Sequence, residues 1–217
     1  MSNPTFKIDL TQPPAELAEE IDLSRISLGG PIFDLEKLSW LNGQYLRAMQ
    51  PEQFAQAVGE WMLNGDRLAA LIPLVQERTE RLSDLAPQVA YLLGARADLT
   101  AEAFEGMKVD REQCVLILDH TLRTLDGIRQ WERDALFQAC KQLSEFLELK
   151  LRDFLQPLFY AVSGQGVSLP LFDSMVFLGS DVTRMRLRDA LGVMGVSKKA
   201  AKRLEKNYAA YLASQSE

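Results

Sequence analysis

Residues 27–47, SLGGPIFDLEKLSWLNGQYLR, set the reading of the whole chain. Gly29 and Gly30 tolerate positive φ, and Pro31 fixes its own φ while biasing Gly30 away from helix, so the segment opens on a turn. Asp34 follows where its carboxylate can accept the free N–H groups of a first helical turn and face the positive end of the helix dipole. Leu35, Leu38, Leu41 and Tyr45 then recur at spacings of three or four, which predicts one apolar face on a buried helix.

Outward from this stretch the same period continues. Pro51 suits a first helical position, and Phe54, Ala57, Val58, Trp61 and Met62 form a stripe that ends at Asn64-Gly65. Asp66 is the expected cap of a helix whose Leu68, Leu71, Ile72 and Val75 turn inward around a bend at Pro73. Ser83 precedes Leu85, Val89, Leu92 and Leu93, closed by Gly94. Asp110 with Gln113 makes a variant capping box ahead of Cys114, Ile117, Leu118, Thr121, Leu122 and Leu125. Gly127 allows a break before a helix that takes in Trp131, Ala135, Phe137, Cys140, Leu143 and Leu147. A helix bent at Pro157, a turn over residues 163–166, a short helix from Pro170 and further helices capped by Ser180 and Ser197 complete the chain. Nothing in the first half alternates with a period of two, and no β-hairpin, repeat or low-complexity tract is present. The fold class expected is all-α, as two consecutive helical bundles: a flexible lead-in over 1–22, a first bundle over 23–100 and a second over 101–217.

At 217 residues, 47% hydrophobic and 25% charged, the composition is that of an ordinary globular protein. No apolar run approaches the roughly 20 residues needed to cross a bilayer. The first twenty residues carry Asp9, Glu16, Glu19 and Glu20 against Lys7, the wrong balance for a leader, which places the protein in the cytoplasm. The net charge of −6 argues against a generic nucleic-acid binder, but it is unevenly spread. Residues 1–149 hold 14 Lys and Arg against 24 Asp and Glu, whereas residues 150–217 hold 10 against 6, so a phosphate-facing surface belongs in the last third.

Sites of chemistry are scarce. Cys114 and Cys140 show no disulfide or zinc spacing and are expected to be reduced. His120, the single histidine, lacks partners at metal-ligand spacing and is read as a helix-surface or core-edge residue. Gly29-Gly30 runs directly into Pro31, and Gly164-Gln165-Gly166 has neither a preceding strand nor a following lysine, so neither is a phosphate cradle. No catalytic residue and no metal site are assigned.

The stretch FDLEKLSWLNGQYLR resembles the start of the anticodon-binding half of bacterial glutamyl-tRNA synthetases, with the pattern D-x-x-K-L-x-W-x-N-x-x-Y-[IL]-R matched at Asp34, Lys37, Leu38, Trp40, Asn42, Tyr45, Leu46 and Arg47. SLGGPIF before it is similar to the proteobacterial branch. The resemblance extends from about Asp22 to the C-terminus, roughly nine-tenths of the chain. LVQERTERLSDL over 74–85 resembles the family segment in which one arginine meets the third anticodon base, and Arg78 holds that position. Residues 149–173 resemble the second anticodon-facing segment. Gln156, Ser168 and Leu171 match it, but the family's frequent arginine after Gln-Pro-Leu is here Phe159, which keeps a stacking surface and loses a charge-assisted contact.

The resemblance implies that this chain recognises tRNA-Glu as a monomer, with Asn42 and Arg47 as positioning contacts. Arg184 and Arg188, which share a helix face while Arg186 points elsewhere, become candidate phosphate contacts. It also implies no cofactor in this chain. The ATP-binding signatures of class I synthetases are absent, so ATP and Mg belong with a catalytic domain or polypeptide supplied separately, and the chain alone would not charge tRNA. The alternative is a helical interaction or regulatory module that keeps this fold without reading anticodons. The acidic first half and Phe159 favour it.

Overall fold

The computed structural model describes residues 34–62, 64–166 and 168–215. The expected lead-in and the Gly29-Gly30-Pro31 turn lie outside them. Among the described residues there are ten α-helices, one 3₁₀ turn and no strand, in agreement with the all-α reading. No helix among them is long and apolar enough to cross a membrane.

One unit, Met1–Asn64, contains α1 (Leu35–Ala48) and α2 (Pro51–Met62). Asp34 caps α1 as expected, its Oδ1 accepting from the Lys37 N–H at 3.0 Å. Pro51 opens α2, where the Gln53 side chain accepts from Gln50 N–H at 3.0 Å. The apolar stripes form but are not enclosed: Leu38, Tyr45, Phe54, Val58 and Trp61 are all exposed. Two helices of 14 and 12 residues present too little facing surface to bury their own apolar faces.

The other unit, Gly65–Glu217, contains α3 (Gly65–Val75), a 3₁₀ turn (Gln76–Arg78), α4 (Leu82–Leu93), α5 (Glu102–Glu105), α6 (Arg111–Asp126), α7 (Arg133–Phe146), α8 (Leu151–Ser163), α9 (Leu171–Met194) and α10 (Lys198–Ser214). Helices α6 to α9 enclose the main core, in which Ile117, Leu118, Leu136, Leu143, Phe154 and Leu187 are essentially inaccessible. A smaller core joins Leu71 and Val75 of α3, Val89 and Leu92 of α4, and Leu169, with Phe177 and Leu178 of α9 against it. Leu178 packs on both cores. The division expected near residue 100 is therefore absent, and the chain divides at Asn64/Gly65 instead.

A buried arginine strengthens that continuity. Arg186 is fully buried on α9, and its guanidinium donates to the carbonyls of Tyr91, Gly94, Ala95 and Val162. The first three close α4, where unpaired carbonyls carry the negative end of the helix dipole, so a cation needs no carboxylate partner there. Burial pulls this guanidinium below the ordinary arginine pKa. Nearby, the Tyr91 hydroxyl and Ser174 Oγ lie 2.6 Å apart.

Several local expectations shift. Asp66 lies inside the first turn of α3 rather than at its cap, and Leu68 and Ile72 are exposed, leaving Leu71 and Val75 as the inward edge. α4 begins at Leu82, ahead of Ser83, because the Asp84 carboxylate accepts from the Arg81 N–H at 3.2 Å. The Asp110–Gln113 box forms in both directions, at 2.8 and 3.0 Å. Trp131 precedes α7 and donates from Nε1 to Met175 O at 2.9 Å. Ser180 does not cap; the break in α9 is made by Gly179, whose φ of 80° and ψ of 169° suit only a residue without Cβ. Ser197 does cap α10, accepting from Ala200 N–H at 3.2 Å.

His120 is not at the surface or the core edge but fully buried, with Nδ1 3.2 Å from Asp119 Oδ2 and Nε2 3.1 Å from Asn207 Oδ1 of α10. Burial acts to raise the Asp119 pKa, but hydrogen bonds from His120 and from Arg123 at 2.8 Å, with the charges behind them, outweigh it and hold the carboxyl below its ordinary range. A depressed carboxyl stabilises the fold above its unfolded pKa, about 3.9, and that contribution disappears as pH falls through the lower folded value. Asp119→Asn is accordingly expected to flatten the acid limb of stability. Thermal unfolding from about pH 5 to pH 2 checks this; parallel loss of stability in parent and variant would sink it.

The two thiols are inert in place. Burial, with Asp110 nearby, pushes Cys114 up to about 11, and burial alone pushes Cys140 up to about 12.

Candidate nucleic-acid interface

Arg78 owes its position to the end of α3. Pro73 removes one backbone donor from the last turn, and the chain tightens into the 3₁₀ turn before leaving extended at Thr79 (φ −100°, ψ 111°). The Thr79 hydroxyl donates to Val75 O at 2.8 Å, and Arg78 Nη1 donates to Leu74 O at 3.2 Å. Among the described residues this is the one tether of an exposed guanidinium, and it leaves most of its five N–H groups free.

Beside it is a cavity of about 390 Å³ lined by Arg78, Pro87, Gln88, Gln165, Ser168 and Leu169. Among the described residues, Arg78 is the one charged side chain of that lining. Gln88 reaches back from α4, its Nε2 donating to Arg78 O at 3.5 Å. The far wall depends on Gly164, which ends α8 with φ 69°. A Cβ there would stand 3.1 Å from Asp98 O and 3.3 Å from Asp98 N, so only glycine lets the turn close. Ser163 Oγ accepts from Gln165 N–H at 3.1 Å and donates to Phe159 O at 2.8 Å, while Leu169 is anchored in the smaller core.

A second cavity of about 830 Å³ shares Gln165 with the first and takes in Gln156, Phe159, Tyr160, Lys108 and Arg152. Phe159 is half-buried, with the main core behind its ring. Gln156 Oε1 accepts from Lys108 N–H at 3.2 Å. Tyr160 accepts from Thr100 N–H at 3.2 Å and stands edge-on to Phe104 at 5.0 Å.

The structure thus gathers Arg78 with Ser168, and Gln156 with Phe159, around Gln165. Leu171 is different: at 6% exposure it is built into the main core, which withdraws it from the surface the sequence reading gave it. Arg184 spends its guanidinium on Asp126 at 3.1 Å and Asp181 at 2.9 Å, whereas Arg188 is largely exposed and only 4.0 Å from Asp126. Asn42 and Arg47 are exposed on α1, where Gly43 leaves room for the Arg47 guanidinium, since a Cβ would meet its Nη1 at 3.0 Å. Sequence reasoning missed Gln88 and Gln165, which reach Arg78 only through the fold. It also missed Arg152, whose seven-residue spacing from Phe159 was a readable signal. Among the described residues, no group of His, Cys, Asp or Glu could hold a metal ion.

Comparison with known proteins matches residues 53–191 to the family described as "Anticodon binding domain". The glutamate–tRNA ligase of Marinomonas sp. (strain MWYL1) is 44% identical over 196 residues, which are 89% of this chain and 40% of that protein. That of Saccharophagus degradans is 45% identical over 197 residues, 90% of this chain and 39% of the relative. The chain spans about two-fifths of the length of the curated relatives it matches. Among solved structures, a glutamate tRNA ligase from Elizabethkingia meningosepticum CCUG26117, in complex with its amino acid, has a TM-score of 0.53 at 22% identity over 83% of this chain and 37% of that one, a likeness of fold.

Proposed function

Because this chain belongs to the anticodon-binding domain family, we propose that it is the tRNA-recognition part of a glutamate–tRNA ligase, holding the unpaired anticodon bases of tRNA-Glu without itself charging the tRNA. The observation that carries this reading is the exposed Arg78 guanidinium sharing a cavity with Gln165 and Ser168. Arginine donates and cannot accept. A cytosine offers O2 and N3 as adjacent acceptors to such a fork, while a guanine presents N–H groups on the corresponding edge and is larger. The third anticodon base differs in this way between the glutamate and glutamine tRNAs, C against G. ATP, Mg and glutamate are assigned to a catalytic part.

The test is equilibrium binding of the full chain to tRNA-Glu transcripts carrying C or G at the third anticodon position. The expected preference for C is at least about tenfold, one tenfold step being 1.4 kcal/mol. Indistinguishable binding of the two transcripts would end the anticodon-reading proposal.

A further inference from the structure

We propose that Arg152 is the base-reading cation of the larger cavity, taking over at a new position the charge that Phe159 does not supply; this rests on the reading of the chain as an anticodon-binding module. Arg152 and Phe159 are seven residues apart on α8, two helical turns, and so share a face. Both line the 830 Å³ cavity, whose other charged members are Lys108 and Asp153. Those two lie 3.8 Å apart and largely offset each other, whereas Arg152 is exposed and forms no hydrogen bond or ion pair with any described residue.

The lining has the composition that an unpaired base requires. Phe159, backed by the core, offers one ring face for stacking. Gln156 and Gln165 add amide groups at the rim, and the free guanidinium of Arg152 can donate to acceptors on a base edge. Gln165 lines both cavities, so a single strand crossing it can leave its third base beside Arg78 and the two before it in the larger cavity, one of them on the Phe159 ring. The larger cavity, about twice the volume of the smaller, suits two nucleotides against one. A cation two turns back on the same helix keeps positive charge at this cavity while freeing position 159 to stack.

The experiment measures binding of the full chain to RNA hairpins bearing the anticodon stem and loop of tRNA-Glu, with each of the four bases placed at the first, second or third anticodon position. Arg152→Ala is expected to weaken binding of the parent hairpin about tenfold and to erase preference at the first two positions while leaving third-position preference intact. Adding Phe159→Arg to Arg152→Ala returns a cation to the same cavity and is expected to restore part of the affinity. Unchanged binding by Arg152→Ala, with third-position preference present, overturns this inference and leaves the proposed function standing. An equal loss for every base, with the salt slope reduced by about 0.7, assigns Arg152 to a phosphate and overturns its base-reading role. A parent chain that binds none of the hairpins overturns the proposed function and this inference with it.

Discussion

Arg186→Met is expected to destabilise the fold by about 3–5 kcal/mol, the scale of several buried carbonyls losing a charged donor at once. Methionine fills much of the volume but donates nothing, and the carbonyls of Tyr91, Gly94, Ala95 and Val162 then lose their common donor. Each unsatisfied buried carbonyl costs about 1–3 kcal/mol, and local opening to water recovers part of that. Arg186→Lys should fall between parent and Met, because an ammonium keeps the charge at the end of α4 but has three donors on a shorter reach. Urea unfolding followed by far-UV circular dichroism separates the three proteins. A loss below about 1 kcal/mol for Arg186→Met would mean that the carbonyls find other donors, and the account of what joins α4 to α8 and α9 would be wrong.

The difference between what the sequence disclosed and what it concealed follows the range of each interaction. Asp34, Asp110 with Gln113, and Ser197 were legible as caps because donor and acceptor lie three residues apart. The start of α4 was less legible, because Asp84 closes onto Arg81 and begins the helix ahead of Ser83, a competition between neighbours that spacing alone does not settle. Helical spacing set Arg186 on a different face from Arg184 and Arg188, but it did not say what that face meets. Its burial is decided by carbonyls more than ninety residues earlier at the end of α4. His120 was misplaced for the same reason, since Asn207 is 87 residues away. For α1 and α2 the periodicity gave the apolar faces correctly, but periodicity states only which residues share a face, not that a partner covers it.

The candidate site divides along the same line. Arg78 was found through a local pattern, and the local structure explains its exposure: the 3₁₀ turn that follows Pro73. Its companion Gln165 depends on a left-handed Gly164 and on Leu169 inserting into the smaller core, neither of which the flanking residues announce. Leu171 shows the converse error. A large apolar residue at the start of a helix is compatible with wedging between bases or with packing inward, and the proximity of the main core decides for packing.

Arg78→Ala is expected to abolish the preference for C over G at the third anticodon position, a change of at least about tenfold in the ratio of affinities as two forked donors are lost from a partly enclosed cavity. The geometry makes the loss specific. Arg78 is exposed and tethered only to Leu74 O, so the fold should tolerate alanine, and the unfolding midpoint should stay at that of the parent. Arg78→Lys separates charge from shape: it keeps one positive charge beside the Gln165 wall, preserving most of the general affinity for RNA, but cannot donate in parallel to adjacent acceptors, so its preference should fall nearly to that of alanine. If lysine instead retains the full preference, the cavity discriminates by charge or size rather than through a forked donor. If alanine retains it as well, the walls formed by Pro87, Gln88 and Ser168 select the base and Arg78 is surface decoration.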